Sequence, residues 1–414
     1  MSEVANNKPR KVNLRTPEVM SIVQAQVENH YRSRVVDYIR QSGGHTLTAN
    51  GLTVKLAKAF GFCYGVERAI DLAYAAAKYF HDKNIYLLGE IIHNPEVNDQ
   101  LREMNIKSLK EGPNGYDLSH ITDQDVVIVP AFGAPVETMN RLKELNCITV
   151  DTTCGDVMSV WKRVRQYNRE KVTSIIHGKA WHEETKATSS RALGEKDGHG
   201  HYLVVFTLAE TDYVCNYIRK GGDKEEFLKK FEGAYSPGFD PDIHLSYVGV
   251  ANQTTMMRNE TEEVQNRIRQ AIEDRFGKEK LSEHFRFFDT ICGATQERQD
   301  ALNVMLAEPM NLLIVVGGYN SSNTSHLAEM GEAKLPTYFI KNASKMDSTS
   351  RIHHWNQHTN VEEETKDWLP EGKVVVGITA GASCPNNLIE EIIHKLYEFR
   401  GVKVEELIPE WARN

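Results

Sequence analysis

VDTTCGDV, residues 150–157, is the most informative stretch of the chain, because FDTICGAT at residues 288–295 repeats its Asp-Thr-x-Cys-Gly core. Each copy follows an apolar run and leads into a stretch whose apolar residues recur every three to four positions, the spacing of a buried helix face. KAFGFCYGVERA, residues 58–69, is a looser third version. The sequence therefore predicts three cysteines, Cys63, Cys154 and Cys292, each placed where a strand gives way to a helix.

That position favours metal-binding thiolates. The first turn of a helix offers unpaired N–H groups and the positive end of the helix dipole, and both stabilise a thiolate. Thiolates hold iron–sulfur clusters, and the absence of a Cys-x-x-Cys pair excludes a compact zinc or ferredoxin motif. One ligand from each of three α/β units would leave one iron open to substrate. The alternative is that all three cysteines are small buried core residues.

Composition narrows the class of protein. The chain has 414 residues and a net charge of −8, which argues against a nucleic-acid partner or an anionic membrane surface. No apolar run reaches the roughly 18 residues of a membrane span. Six cysteines are too sparse for a disulfide scaffold. We expect a cytoplasmic protein, or a protein of the plastid stroma if it is nuclear-encoded, although the N-terminus is a poor transit peptide.

Apolar runs alternate with helical patterns from residue 52 onward, which is typical of α/β folds with parallel strands. We expect a helical extension over residues 1–50, with one helix from about residue 19 to residue 39. Three α/β lobes follow at residues 51–153, which include Cys63, at residues 154–291 and at residues 292–414. The polar, glycine-rich stretch 193–244 predicts a surface insertion in the second lobe.

Most of the predicted strands end in polar turns, and ligands of open α/β sheets bind beyond the carboxyl ends of their strands. The turn GGYNSSNTSH, residues 317–326, is rich in hydroxyls and amides and suits a phosphate or diphosphate, although it is not a Walker loop. A second hydroxyl-bearing turn contains Ser383. His93, His182 and Glu184 also follow strands, which favours anion contact and proton transfer over a core role.

Two other metal assignments are disfavoured by the residue spacing. HGKAWHEE, residues 177–184, has its histidines five positions apart rather than in a His-Glu-x-x-His arrangement, which argues against a zinc hydrolase. Cys147, Cys215 and Cys384 lack the strand-to-helix setting, and we leave them out of the metal site.

Eight motifs in fixed order between about residues 55 and 396 resemble the 4-hydroxy-3-methylbut-2-enyl diphosphate reductase family, whose members complete the methylerythritol phosphate route to isoprenoids. They are GFCYGVERAI, EIIHNPEV, DTTCGDV, HEETKAT, NQTTM, DTICGATQERQ, GGYNSSNTS and ITAGASCP. The resemblance implies an oxidoreductase with a trefoil of three pseudo-threefold-related α/β lobes. A central [4Fe-4S] cluster with one open iron site would be held by Cys63, Cys154 and Cys292.

The resemblance also implies the roles of individual residues. Glu184 would supply protons and Thr254 would assist beside the substrate. The diphosphate would contact His93, His182, Ser321, Ser322, Asn323 and Ser383. The reaction would be a reductive dehydroxylation that yields isopentenyl and dimethylallyl diphosphate. Because no flavin or nicotinamide fingerprint is apparent, the two electrons would come singly from an external donor, which by resemblance is a reduced ferredoxin.

One residue departs from the family pattern. PAFGAP, residues 130–135, has Phe132 where many bacterial members have a histidine, so one possible diphosphate donor is lost. The N-terminal arm and the stretch 193–244 point in addition to the branch from oxygenic phototrophs. Two rival functions stay open: another three-cysteine iron–sulfur enzyme of the quinolinate synthase type, and a non-catalytic iron–sulfur sensor.

Overall fold

The structure, a computed structural model, describes residue 14 and residues 16–113, 115–194, 199–288 and 290–413. This part of the chain divides into two compact units. The first unit comprises Phe80–Gly89 and Ile106–Cys292, and the second comprises residues 16–79, Glu90–Asn105 and residues 293–413. None of the helices described is both long enough and apolar enough to cross a membrane.

The helices are four to nineteen residues long. In chain order they are α1 (Pro17–Tyr31), α2 (Arg34–Gln41), α3 (Tyr64–Tyr79), α4 (Pro95–Glu103), α5 (Val136–Glu144), α6 (Gly155–Arg169), α7 (Glu183–Ala192), α8 (Leu208–Lys220), α9 (Lys224–Lys230), α10 (Pro241–His244), α11 (Arg258–Phe276), α12 (Leu281–His284), α13 (Gly293–Leu306), α14 (Ser322–Glu332) and α15 (Asn386–Glu398).

The strands are mostly three to seven residues long. They are β1 (Thr46–Ala49), β2 (Leu52–Leu56), β3 (Ile85–Leu88), β4 (Ile106–Leu109), β5 (Glu111–Gly112), β6 (Gly115–Tyr116), β7 (Val126–Val129), β8 (Ile148–Asp151), β9 (Thr173–His177), β10 (Tyr202–Val205), β11 (Val248–Asn252), β12 (Phe285–Phe287), β13 (Leu312–Val316), β14 (Thr337–Ile340), β15 (Met346–Ser348), β16 (Arg351–Asn356), β17 (Val361–Lys366) and β18 (Val374–Ala380).

The first unit contains two parallel four-stranded sheets. One has the strand order β4-β3-β7-β8 and the other β10-β9-β11-β12, and every pairing in both is parallel. The central strands β3, β7, β9 and β11 are buried along their whole length. Their nearly continuous apolar sequences reflect burial on both faces of a parallel sheet.

The second unit is built on a five-stranded sheet with the order β1-β2-β18-β13-β14, in which only the β1–β2 pairing is antiparallel. Fully buried side chains of α2 and α15, such as Ile39 and Ile392, belong to the core of this sheet. The strands β15, β16 and β17 form a separate, small antiparallel sheet.

The predicted α/β class is confirmed, and three larger sheets carry the parallel strands. One strand pairing crosses the boundaries of the three contiguous lobes that were expected. β2, which precedes Cys63, pairs in parallel with β18 near the C-terminus, whereas the sequence assigned it to a lobe of residues 51–153. Leu52–Leu56 alternates buried and half-buried residues, and this local pattern does not identify a pairing partner more than 300 residues away.

The stretch 193–244, predicted as a surface insertion, instead contributes to a sheet and its core as far as it is described. β10 pairs with β9, and Phe227 of the charged helix α9 is fully buried together with Cys215 of α8. In this stretch single apolar residues stand among many charged ones. The apolar spacing of the buried helix faces could therefore not be recognised in the sequence.

The described part of the N-terminal extension contains two helices and the short strand β1, whereas residues 1–13 and residue 15 of the predicted extension lie outside the described residues. Thr16 caps α1 by accepting the Val19 N–H, and the chain then turns at Arg32 and Ser33. Ser33 caps a second helix by accepting the Val36 N–H at 2.9 Å, so one expected helix becomes two. A serine that accepts an N–H three residues later is a common helix start.

Gly249 in β11 tests how tightly the first unit is packed. A Cβ atom at this position would lie 2.7 Å from the ring of Tyr167, which is itself fully buried and donates its hydroxyl to the Val250 carbonyl. Because the ring has no room to move, we expect Gly249→Ala to lower the free energy of unfolding by about 1–3 kcal/mol. Gly43→Ala is the control, since no atom lies within 4 Å of its added Cβ. Equal urea midpoints for the two variants would contradict this packing.

Candidate functional site

All three predicted cysteines lie directly before a helix. Cys63 precedes α3, Cys154 is the residue before α6, and Cys292 precedes α13. Each is half-buried, and the carbonyls of Cys63 and Cys154 accept the first N–H bonds of their helices from Glu67 and Met158. The thiols therefore stand at the positive ends of three helix dipoles, as the sequence predicted.

The three cysteines share one backbone contact. In each case the cysteine N–H donates to the carbonyl that lies two residues beyond the end of the neighbouring parallel strand, which is β18, β7 or β11. The bonds are Cys63 to Ala382 at 3.2 Å, Cys154 to Ala131 at 2.8 Å and Cys292 to Thr254 at 3.3 Å. The same local construction therefore occurs three times, on sheets of different sequence.

The remaining cysteines have a different environment. Burial raises the pKa of the Cys147 thiol, of the Cys384 thiol, and of the Cys215 thiol to about 12. None of the six cysteines, all within the described ranges, is in a disulfide. A thiol that resists ionisation is a poor metal ligand, because metals bind the thiolate. The structure thus separates the three half-buried cysteines from three core residues.

Glu184 and Thr254, predicted as the catalytic pair, are directly bonded. Glu184 lies in the first turn of α7 and is only 3% exposed. Its carboxylate accepts the Thr254 N–H at 2.6 Å on Oε1 and the Thr254 hydroxyl at 3.0 Å on Oε2. Because the Thr254 carbonyl accepts the Cys292 N–H, one residue connects the carboxylate to a cysteine turn.

His182 is the N-cap of α7, and its Nδ1 accepts the Glu184 N–H at 3.1 Å. The accepting nitrogen carries no proton, so the ring proton lies on Nε2, which can donate. Phe132 packs its ring edge-on against the His182 ring, with 6.3 Å between the centroids. The phenylalanine that departs from the family pattern therefore lies against a neighbouring histidine.

Gln253 joins the turn that contains Thr254 to the start of α7, a role that the sequence did not reveal. Its Oε1 accepts the Thr185 hydroxyl at 3.1 Å and the Lys179 N–H at 3.2 Å, and its Nε2 donates to the Thr255 hydroxyl at 2.8 Å. These bonds fix the turn after β11 to the first turn of α7. The NQTTM motif marked the turn in the sequence, but only the fold shows which side chain crosses it.

His177 supports the same turn through its backbone. Its carbonyl accepts the Gln253 N–H at 2.8 Å, and its ring Nδ1 bonds the Thr261 hydroxyl at 2.8 Å. The side chain is 1% exposed. Burial is the main reason why the pKa of His177 falls to about 4, and the ring therefore stays neutral in the folded protein at physiological pH.

A cluster of hydroxyls and amides lies within the second unit. Ser321 caps α14, and Ser383 places its hydroxyl 3.5 Å from the Ser321 hydroxyl and 3.2 Å from the His93 carbonyl. The Ser322 hydroxyl and the Asn323 Nδ2 are buried without a hydrogen-bond partner among the described residues. Buried donors of this kind at a helix N-terminus are suited to an anion.

Ala382 plays the same part here that Thr254 plays in the first unit. Its carbonyl accepts the Cys63 N–H, and its own N–H donates to the Asn323 Oδ1 at 2.9 Å. In both units the residue two beyond a strand therefore joins a cysteine to a polar side chain at the start of a helix.

His93 is held by a pair of polar neighbours. Its Nδ1 lies 3.1 Å from the Glu90 carboxylate and 3.1 Å from the Asn320 amide, which also donates to Glu90 at 3.0 Å. Burial raises the pKa of Glu90, but the hydrogen bonds of His93 and Asn320 outweigh it, and the net pKa is lowered. Glu90 and Asn320 therefore fix the position of the His93 ring.

Two arginines hold the loop that leads to Cys63. Arg298 of α13 is 4% exposed and donates to the Gly61 carbonyl at 2.6 Å and to the Phe62 carbonyl at 3.1 Å. Arg40 of α2 donates to the Phe60 carbonyl at 2.8 Å. Arg298 belongs to the ATQERQ motif of the sequence, but nothing local showed that its target lay more than 230 residues away.

The predicted site residues fall into two groups. The first unit contains Cys154, Cys292, His182, Glu184 and Thr254, and the last four are connected by the bonds described above. The second unit contains Cys63, His93, Ser321, Ser322, Asn323 and Ser383, of which all but Ser322 share direct or one-residue contacts.

Comparisons with known proteins agree on one family. The model of the LytB protein family matches residues 54–397. The 4-hydroxy-3-methylbut-2-enyl diphosphate reductase of Gloeobacter violaceus is 46% identical over 385 residues, which cover 92% of this chain and 90% of the relative. The enzyme of the same name from Thermosynechococcus vestitus is 45% identical over 381 residues, with 92% of each chain covered.

Solved structures show the same similarity. A structure of (E)-4-hydroxy-3-methyl-but-2-enyl diphosphate reductase, described as the terminal enzyme of the non-mevalonate pathway, matches with 26% identity and a TM-score of 0.51, covering 83% of this chain and 99% of that one. The Plasmodium falciparum reductase matches with 22% identity and a TM-score of 0.61, covering 84% and 89% respectively, and supports the fold alone.

The neutral state of His177 makes stability depend on pH. The pKa of His177 in the folded protein, about 4, lies below the ordinary value of 6.5. Its contribution to the free energy of unfolding is therefore complete above pH 6.5. It is lost as the pH falls toward 4, because the unfolded chain binds a proton there that the folded chain does not. We expect the free energy of unfolding of the wild type to fall by up to about 3 kcal/mol over this pH range because of His177. Urea unfolding across this range should show a shallower decline for His177→Gln, and parallel curves would contradict the assignment.

Proposed function

The chain belongs to the LytB protein family, and on this basis we propose that it catalyses the reductive dehydroxylation of 4-hydroxy-3-methylbut-2-enyl diphosphate. The products would be isopentenyl and dimethylallyl diphosphate. The similarity to reductases that bear this substrate in their names extends over 92% of the chain, and the polar clusters of both units supply the groups that such a reaction needs.

Cys63, Cys154 and Cys292 fit an iron–sulfur cluster. They are the half-buried cysteines at helix starts, whereas burial keeps the other three thiols protonated. We propose that these three hold a [4Fe-4S] cluster with one open iron site. When bound, the cluster would supply single electrons and Lewis acidity at the reacting carbon–oxygen bond.

The bond between Glu184 and Thr254 is the observation that carries the proposed chemistry. The substrate carbon–oxygen bond breaks, and two electrons and two protons are consumed. One proton converts the leaving hydroxyl into water, and the other reaches either end of the allyl group, which gives the two products. Glu184 would provide protons through the Thr254 hydroxyl, which lies 3.0 Å from its Oε2 and can both accept and donate.

The hydroxyl and amide cluster of the second unit would hold the diphosphate. Ser322 and Asn323 contribute buried donors that have no described partner, and Ser321 and Ser383 contribute hydroxyls at the N-terminus of α14. We propose that His93 and the Nε2 of His182 add donors. Fixed anion contacts of this kind orient the reacting carbon and lower the entropic cost of reaction.

Phe132 would act through packing, because it cannot donate to a phosphate. Its edge-on contact limits rotation of the His182 ring and so aims the Nε2 proton. An external one-electron donor, of the ferredoxin class, would supply the electrons. The cyanobacterial relatives support a cytoplasmic location.

Removing single thiols tests the cluster. We expect Cys63→Ala, Cys154→Ala and Cys292→Ala each to reduce the iron content of anaerobically prepared protein from about four atoms per chain to well below one, with loss of the brown absorption, because each change removes a ligand. Cys215→Ala is the matched control and should retain its iron, since this thiol belongs to a core. Full iron content in any of the first three variants would remove that cysteine from the cluster.

Substitution of the carboxyl tests the proton source. We expect Glu184→Gln to lower kcat by about 10²–10⁴-fold with iron content unchanged, because the amide keeps the shape but has no acidic proton. Thr254→Ser should retain most of the turnover, since both of its donors remain, whereas Thr254→Val should not. The measurement is anaerobic turnover with an artificial reductant. Equal turnover of Glu184→Gln and the wild type would exclude Glu184 from the mechanism.

A further inference from the structure

Helix α6, which starts directly after Cys154, presents a narrow basic stripe to solvent. The stripe consists of Met158, Lys162, Arg165 and Arg169, which we call the α6 stripe. Spacings of four, three and four residues place the four side chains within about 60° of one another around the helix. Met158 is 42% exposed, Lys162 and Arg169 are exposed, and Arg165 is partly exposed.

The charge of this stripe contrasts with the rest of the chain. The net charge of the protein is −8, yet α6 carries four lysines and arginines against the single carboxylate of Asp156. Asp156 lies about 160° around the helix from Met158, and so outside the stripe. The other two cysteine-led helices expose carboxylates instead, Glu67 on α3 and Glu297 and Asp300 on α13.

The stripe begins close to Cys154, and the helix that carries it contacts the segment of the other cysteine of the first unit. Met158 is one helical turn from Cys154, about 6 Å along the axis. Arg163 lies about 140° around the helix from Met158, and so outside the stripe. Its Cζ is 3.7 Å from the centroid of the Phe288 ring, and Phe288 begins the FDTICGAT segment that contains Cys292. Glu170, which follows Arg169, is paired with Arg286 at 3.3 Å.

We propose that the α6 stripe is the docking surface for a small acidic protein that carries a one-electron iron–sulfur centre. This inference rests on the proposed function, which needs two electrons from outside the chain. In each encounter the carrier would be oxidised by one electron and the bound cluster reduced by one, so two encounters would serve one product molecule. Met158 would add an apolar contact at the end of the stripe nearest Cys154, and the three cations would supply the charged contacts.

The geometry favours a protein carrier of limited contact area over a polyanion. The cations form a single line along one helix, and the carboxylates of α3 and α13 contribute to a negative protein that would repel a nucleic acid or an anionic membrane. A small acidic protein needs only this one face, and charge complementarity would raise the rate of productive encounter.

The test compares two reductants in two double variants. Lys162→Glu with Arg169→Glu reverses the stripe. Lys220→Glu with Lys229→Glu reverses two exposed lysines of α8 and α9 and is the matched control. Each holoenzyme is assayed with a reduced acidic [2Fe-2S] ferredoxin and, separately, with dithionite and methyl viologen, which need no docking surface.

We expect the stripe variant to raise the KM for ferredoxin about tenfold or more at low ionic strength, with the dithionite-driven kcat unchanged and the difference reduced at high salt. The control variant should differ little from the wild type. Equal KM values for the two double variants, or faster turnover with a basic carrier than with the acidic one, would overturn the proposal.

A titration with gallium-substituted ferredoxin, which binds but transfers no electron, decides the question independently of turnover. The wild type should bind it with a Kd that weakens at least tenfold in the stripe variant. Lys162→Gln with Arg169→Gln, which removes charge without reversing it, should give an intermediate value. Absence of turnover with both reductants would contradict the proposed function, whereas equal Kd values for wild type and stripe variant would contradict the docking surface alone.

Discussion

The hydrogen bond from a cysteine N–H to the carbonyl two residues beyond the neighbouring strand is the contact on which the site depends. It fixes each cysteine to the carboxyl end of a parallel sheet, where the next helix begins. In two cases the residue that accepts this bond also donates its own N–H to a polar side chain, from Thr254 to Glu184 and from Ala382 to Asn323. The three cysteines and the polar side chains next to two of them are therefore positioned by the same backbone units.

Burial of these polar groups is tolerated because the helix starts and strand ends supply partners. A carboxylate with 3% exposure, such as Glu184, would be costly without hydrogen bonds, and the N–H and hydroxyl of Thr254 provide two. Gln253 in turn holds the Thr254 turn against α7. The α14 cluster is different, since Ser322 and Asn323 retain buried donors without described partners, and an anion would satisfy them.

Local patterns in the sequence were sufficient to place the three cysteines at helix starts and to mark the polar turns, because an apolar run followed by a polar turn and a helical period marks the end of a parallel strand. They were insufficient where long-range pairing decides the outcome. The parallel pairing of β2 with β18 and the contact of Arg298 with the Gly61 carbonyl join segments far apart in the chain. The role of Ala382 is carried by its backbone alone, and a side-chain pattern cannot indicate it.

The three cysteine turns share one backbone hydrogen bond but differ in their side chains. The bond to the cysteine uses only a backbone carbonyl, so it places no demand on the side chain of the accepting residue, which is Ala131, Thr254 or Ala382. Of these three positions only Thr254 has a hydroxyl, and it is the one bonded to a buried carboxylate. Because the position of each cysteine is maintained by the main chain, a single turn can acquire a hydroxyl bonded to a carboxylate while the others keep small residues.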